Sequence, residues 1–315
     1  VTRVAAIDCG TNSIRLLIAD RSADGTLTDL VRRMEIVRLG QGVDRTGRFD
    51  PVALQRTLAT TGEYAAECRT HQVQAVRFVA TSASRDAANS EEFFTGVRAA
   101  LGVDAEVITG TEEAALSFAG AVRILGPDDP PARLVVDIGG GSTELVLGGQ
   151  SVQQSISLDI GSVRMTERHI HTDPPTVAEL DAARADIRAA LEEAAAALPL
   201  ASVRTLVGVA GSVTTITAAA LGLQEYQRER IDGARLTPEQ VRAACEQMLT
   251  LPREARAALG FLHPGRVDVI GAGALIWSEV VSRVAQEVAD GGGHLDQVIT
   301  SEHDILDGIA RSIRA

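Results

Sequence analysis

Arg133-Leu134-Val135-Val136-Asp137-Ile138-Gly139-Gly140-Gly141-Ser142-Thr143-Glu144-Leu145-Val146-Leu147 is the stretch whose reading decides the fold. An apolar run, a Gly-rich break and a second apolar run read as strand, tight turn, strand. Successive glycines let the backbone turn sharply and bring N–H groups close to an anion with no Cβ in the way. Ser142 and Thr143 add hydroxyl donors, and Asp137 and Glu144 bracket the turn with two carboxylates. Carboxylates beside a phosphate repel it unless a hard cation such as Mg²⁺ sits between them. The stretch therefore reads as a phosphate cradle with its own metal ligands. A plain Gly-rich hairpin is the alternative, and the glycines alone do not separate the two.

Working outward, the same pattern occurs at the start of the chain. Val4-Ala5-Ala6-Ile7-Asp8 is an apolar strand ending in an acid, Cys9-Gly10-Thr11-Asn12-Ser13 is a turn, and Ile14 to Ala19 is a second strand. Strand-Asp-turn-strand at Asp8 thus repeats at Asp137. Two halves of like build facing each other across a cleft are the natural reading, with one phosphate-binding turn from each. Between the turns, strands alternate with helices: a strand over 27–37, a loop over 38–49, and a helix from Pro51 with Asp50 as its N-cap. Then come a strand over 73–80, a helix over about 90–101, a strand over 105–108 and a helix beginning Glu112-Glu113. That alternation is α/β. Gly126-Pro127-Asp128-Asp129-Pro130-Pro131 is the strongest punctuation, and it places a boundary between domains at 1–125 and 126–300, with the closing helix in 301–315 able to pack back on the first. In the second half, Pro174-Pro175-Thr176 opens an Ala-rich helix, and Ala210-Gly211-Ser212 turns from a strand over 205–209 into another. The pattern from Thr237 to Ala289 is mainly helical.

Composition narrows the function. The chain of 315 residues carries 45% hydrophobic and 23% charged residues, as an ordinary globular protein does. No apolar stretch reaches the roughly 20 residues of a membrane span, and no secretory signal opens the sequence. Cys9, Cys68 and Cys245 are isolated, which suggests neither disulfides nor zinc and fits a cytoplasmic location. A net charge of -12 argues against a nucleic-acid partner. All 30 basic residues are arginine, so a Walker-type phosphate loop, which needs lysine, is excluded. Phosphate must be handled by backbone N–H groups, hydroxyls, metal and arginine.

These turns, in this order, resemble the exopolyphosphatase/guanosine pentaphosphate phosphohydrolase family. The likeness runs nearly end to end, through Ala6 to Ser13, Arg38 to Val43, Ala80 to Arg85, Gly110 to Ala114, Asp137 to Glu144 and Gly208 to Thr215. It implies two ribonuclease-H-like domains of the actin and sugar-kinase superfamily flanking a cleft. By that resemblance Glu113 activates the attacking water, and Asp137, Glu144 and Asp8 are the candidate ligands for Mg²⁺, or Mn²⁺ in its stead. The Gly139, Gly140, Gly141, Ser142 and Thr143 turn cradles a phosphoryl group, Thr11, Asn12 and Ser13 supply opposing donors, and Gly211 with Ser212 holds the next phosphate. Arg85 is a phosphate clamp; Arg15 and Arg266 are candidates for distal phosphates or a guanosine moiety. Polyphosphate or guanosine pentaphosphate is the implied substrate, and a homodimer the implied assembly. Basic residues to track a polyanion are sparse, so short chains are favoured over long ones.

Each assignment has a plainer counterpart. Glu112 and Glu113 suit any helix's first turn, Asp8 suits a turn cap, and Arg15 suits an exposed ion pair. His169 and His171 read as surface polarity rather than a metal pair. Gly271 and Gly273 read as a close helix contact. An ATP-dependent kinase of the same superfamily, or a non-catalytic actin-like nucleotide-binding protein, are the competing classes. The late turn Gly208-Val209-Ala210-Gly211-Ser212 departs from the family's Gly-Thr-Ser-Gly-Thr and lacks one hydroxyl donor. The longer relatives' added helical domain does not fit within the chain.

Overall fold

The computed structural model describes residues 1–81, 84, 87–126 and 128–313. Contacts divide them into two compact units: Val1–Gly120 with the chain from Ile305 onwards, and Ala121–Asp304.

The first unit is built on β1 (Thr2–Cys9), β2 (Ser13–Arg21), β3 (Leu27–Ile36), β4 (Ala75–Ala80) and β5 (Ala105–Val107). Their order is β3-β2-β1-β4-β5, antiparallel from β1 through β2 to β3 and parallel from β1 through β4 to β5. Successive side chains of a strand point to opposite faces, and β1 divides its apolar residues accordingly. Ala5, Ile7 and Cys9 join Tyr64, Phe78 and Phe93 in one core. Val4 and Ala6 join Leu116, Ile305, Leu306 and Ile309 in another, on the opposite face. Burial on both faces is why β1 is nearly all apolar. The helix Pro51–Thr70 starts on Asp50, whose Oδ1 accepts from the N–H groups of Val52 at 2.9 Å and Ala53 at 3.0 Å.

The second unit repeats the plan. β6 (Arg133–Ile138), β7 (Thr143–Gly148) and β8 (Val152–Leu158) form an antiparallel meander, and β9 (Thr205–Val209) and β11 (Val298–Thr300) extend it in parallel beside β6. The short β10 (Arg235–Leu236) adds an antiparallel edge, giving the order β10-β11-β9-β6-β7-β8. Apart from that edge, both sheets read third, second, first, fourth, fifth strand, the ribonuclease-H-like arrangement. The helices Val177–Ala197, Ala210–Ala220, Pro238–Thr250 and Ile270–Asp290 share one core in which Trp277 is 1% exposed. Thr176 and Thr237 each close a capping box, with Glu179 and Gln240. Hydrogen bonds from Thr172 and Thr176 hold the Glu179 carboxyl down at about 2.

Among the described residues, the structure adds short elements to the sequence expectation. The loop over 38–49 contains one helical turn, Val43–Thr46, set between Gly42 (φ 73°) and Gly47 (φ 64°). A turn this short has no periodicity to betray it. β10 has two residues, too few to show alternation.

Candidate active site

The second unit places the glycine turn at the tip of the β6–β7 hairpin. Ile138 pairs with Thr143 and Asp137 with Glu144, and the Gly139 N–H donates to the Ser142 carbonyl at 3.0 Å. Directly opposed residues of an antiparallel pair lie on the same face, with Cβ atoms about 4.5–5.5 Å apart. Asp137 and Glu144 are therefore neighbours, buried at 7% and 1% exposure. Ser157, opposite Glu144 on β8, donates to its Oε1 at 2.7 Å. Three adjacent strands thus carry a row of oxygen atoms.

The turn is gripped from behind by the helix Ser162–His169. The Ser162 N–H donates to the Gly139 carbonyl at 2.9 Å, and the Val163 and Arg164 N–H groups donate to the Gly140 carbonyl at 2.9 and 3.1 Å. The Arg164 Nε–H takes the Gly141 carbonyl at 2.7 Å, and the Thr143 hydroxyl donates to the Ile160 carbonyl. With these carbonyls occupied, the N–H groups of Gly140, Gly141 and Ser142 have no acceptor among the described residues. That is the polarity an anion cradle requires. Gly161 makes the grip possible, since a Cβ there would overlap the Gly140 carbonyl and the Gly141 backbone. Sequence reading assigned no part to Gly161, Ser162 or Arg164. The only trace of them is a Gly-Ser helix start directly after β8.

The first unit holds the matching hairpin. Cys9 pairs with Ile14 and Asp8 with Arg15, and the Gly10 N–H donates to the Ser13 carbonyl at 2.9 Å. Here too the turn's carbonyls are taken by the segment after the third strand. The Gly40 N–H reaches the Thr11 carbonyl at 2.8 Å, and the Val37 and Arg38 N–H groups reach the Asn12 carbonyl at 3.0 and 2.9 Å. Thr11, Asn12 and Ser13 are thus gathered in one turn. One difference separates the hairpins. Where Asp137 faces a glutamate, Asp8 faces Arg15, which donates to Asp8 Oδ2 from Nε at 2.9 Å and Nη2 at 2.6 Å. Arg15 is part-buried in that bridge, not exposed as its strand pattern suggests.

Glu112 and Glu113 open the helix Gly110–Ala121, and the fold separates them. Glu112 is exposed and accepts from Arg77 Nη2 at 2.7 Å. Glu113 is buried at 8% exposure, its N–H bonded to the Thr109 carbonyl at 2.9 Å. Arg85 lies outside the described residues.

Gly211, Ser212 and Arg266 come together in the second unit. The Arg266 guanidinium lies where a Cβ on Gly211 would stand, at the start of the helix Ala210–Ala220. Ala210 has φ 69°, a left-handed conformation that costs a non-glycine residue free energy and is typical of functional turns. Ser212 is 7% exposed and touches Gly273, whose missing side chain lets the helix Ile270–Asp290 approach it. Near Arg266, the Tyr226 hydroxyl donates to the Glu302 carboxylate, and partial burial of Glu302 pushes its carboxyl up. Neither was singled out in the sequence. His169 bonds Asp186 at 2.9 Å.

A divalent cation fits the second hairpin better than the first. Two carboxylates side by side repel each other, and a cation between them relieves that repulsion. Mg²⁺ takes one or two carboxylates together with substrate phosphates, a donor set that Asp137 and Glu144 match. No cluster of three or more His, Cys, Asp or Glu side chains suited to a metal occurs among the described residues. At Asp8, the Arg15 guanidinium already supplies positive charge.

The two units share one strand order, and each presents a hairpin turn whose carbonyls are bound from behind. The sequence matches the profile of the Ppx/GppA phosphatase family over residues 17–292. It is 50% identical to Exopolyphosphatase 2 of Mycobacterium tuberculosis over 99% of either chain. An exopolyphosphatase-like protein of known structure superposes with a TM-score of 0.95 at 48% identity, over 98% of this chain and 97% of that one. An exopolyphosphatase from Cytophaga hutchinsonii gives 0.85 at 25% identity, over 98% and 96%. The chain belongs to the Ppx/GppA phosphatase family, and it is an enzyme of the phosphoric anhydride hydrolase class.

Proposed function

We propose that the chain is an exopolyphosphatase that releases the terminal phosphate of inorganic polyphosphate, with short chains favoured. The observation that carries this reading is the β6–β7 tip. Its turn has carbonyls bound from behind and N–H groups left over, directly beside the Asp137–Glu144 pair. Phosphoryl transfer needs in-line positioning, charge neutralisation and an oriented nucleophile more than covalent chemistry. The Gly139–Thr143 turn holds the terminal phosphoryl oxygens. Glu113 takes a proton from the attacking water as oxygen bonds to the terminal phosphorus, and the bridging P–O bond breaks towards the shortened chain. Thr11, Asn12, Ser13 and Arg85 bind phosphoryl oxygens. Gly211, Ser212 and Arg266 hold the phosphate further along. Mg²⁺ or Mn²⁺ held by Asp137 and Glu144 would neutralise charge on the transferring group. Asp8 is assigned to the first turn, its charge shared with Arg15.

A homodimer in the cytoplasm completes the reading. Among the described residues no helix is long and apolar enough to cross a membrane. Phosphate release from short polyphosphate, long polyphosphate, guanosine pentaphosphate and ATP, with and without Mg²⁺, tests it. Fastest release from short polyphosphate, dependent on the metal, is the expected result. Preference for guanosine pentaphosphate moves the assignment to a 5′-phosphohydrolase. Release from none of the four overturns it.

A further inference from the structure

The three carbonyls of the second glycine turn are not held alike. Backbone N–H groups of the helix Ser162–His169 take two of them: Ser162 takes Gly139 at 2.9 Å, and Val163 and Arg164 take Gly140 at 2.9 and 3.1 Å. The Gly141 carbonyl is taken by a side chain, through Arg164 Nε–H at 2.7 Å. In the first hairpin, by contrast, the Thr11 and Asn12 carbonyls are bound by backbone N–H groups. Arg164 thus grips two successive carbonyls, one with its main chain and one with its side chain.

A trans peptide is planar, so its N–H points opposite to its C=O. Binding the Gly139 and Gly140 carbonyls on the helix side turns the Gly140 and Gly141 N–H groups to the other face. The Ser142 N–H belongs to the peptide whose carbonyl is that of Gly141, so Arg164 Nε sets its direction. Glycine before that peptide has no Cβ to restrict its backbone, and the plane can rotate once the bond is lost. Rotation would put a carbonyl oxygen where an anion needs a donor.

A plainer role for Arg164 is an ion pair with Asp159. Their separation is 3.8 Å and the Asp159 side chain is 82% exposed, and ion pairs in contact with solvent contribute little. The Arg164 side chain is only 12% exposed, and its short, charge-assisted bond goes to Gly141. We propose that Arg164 is a positioning residue of the phosphate turn, its Nε–H holding the Gly141–Ser142 peptide with the Ser142 N–H towards the terminal phosphoryl group. The inference rests on the exopolyphosphatase reading of that turn.

Three substitutions separate the donor from the charge. Arg164→Gln keeps an N–H donor the same number of bonds from Cα as Nε and drops the charge. Arg164→Lys keeps the charge but has a methylene at that place, and Arg164→Met has a methyl. Phosphate release from short polyphosphate should fall about 10–10²-fold in Arg164→Lys and Arg164→Met, the worth of a hydrogen bond to a charged group. In Arg164→Gln it should return to within a few-fold of the unaltered chain. Crystal structures of Arg164→Met and the unaltered chain report the peptide itself, and the Gly141 carbonyl should turn away from the helix in the variant. Undiminished release in Arg164→Met, an unmoved Gly141 carbonyl there, or Arg164→Lys outperforming Arg164→Gln overturns the proposal. The comparison of Arg164→Gln with Arg164→Lys decides it even where Arg164→Met does not fold. Should the unaltered chain release no phosphate from any substrate, the functional reading falls, and the two crystal structures still decide what orients the peptide.

Discussion

At the scale of residues, the two neighbouring glutamates show what folding adds to a motif. In sequence Glu112 and Glu113 are interchangeable first-turn acids, and only the resemblance prefers the second. In the fold Arg77 occupies Glu112, while Glu113 is turned inward and buried. Glu113→Gln is therefore expected to lower phosphate release by about 10²–10⁴-fold, the usual worth of a general base, with substrate affinity nearly intact. Glu112→Gln should leave turnover within a few-fold, and comparable losses in both variants would remove the base from Glu113. Asp137→Ala should shift the Mg²⁺ titration of activity to higher concentration, because one of two paired carboxylates is gone; an unshifted titration refutes the ligand assignment. The thiols behave as core. Burial raises Cys9 and Cys245 and pushes Cys68 up to about 11. The folded state holds the Cys68 proton more tightly than the unfolded chain, whose thiol titrates near 9. Its contribution to stability is thus full below pH 9 and lost as pH rises through 11. Denaturant midpoints of wild type and Cys68→Ala should converge or cross in that interval, and a constant gap would contradict it.

At the scale of elements, the hairpins were readable and their supports were not. A strand ending in Asp, a turn and a second strand recur at Asp8 and Asp137, and the register confirms the repeat bond for bond. Local sequence suffices there because turn chemistry and period-two alternation are both local signals. The grip on the turn is not local. Ser162 and Arg164 act about twenty residues from the glycines they hold, and only a Gly-Ser helix start marks their place in the sequence. The pairing of Asp8 with Arg15 was equally hidden, since it follows from register rather than composition. Gly161→Ala tests the grip, because its methyl must displace the Gly140 and Gly141 backbone. Activity should fall at least tenfold with most secondary structure retained. Gly149→Ala, whose Cβ would meet nothing within 4 Å, is the matched control. Equal activity in the two variants would show that the turn tolerates the shift.

At the scale of the whole molecule, the chain begins and ends in the same unit. The helix Ile305–Ser312 buries Ile305, Leu306, Ile309 and Ala310 against Val4, Ala6, Leu17 and Ala19. The duplicated α/β plan was legible from the alternation of elements, and the closing helix from its apolar spacing. The sequence leaves it able to pack back on the first domain, and which apolar residues it covers depends on tertiary packing. Ile309→Ala should cost about 2–5 kcal/mol, as buried Ile truncations do. Hydrogen exchange should speed up in β1 and β2 and stay unchanged in β6 and β7, and uniform acceleration would mean that the two units unfold as one. The closing helix also sets an order of assembly on the ribosome. The second unit has all its strands once Thr300 has emerged, but the first, made earlier, waits with one face of its sheet uncovered until the residues from Ile305 appear. Of the two units, the one synthesised earlier is completed after the other, and in that interval the β1–β2 face that the helix covers stays open to solvent.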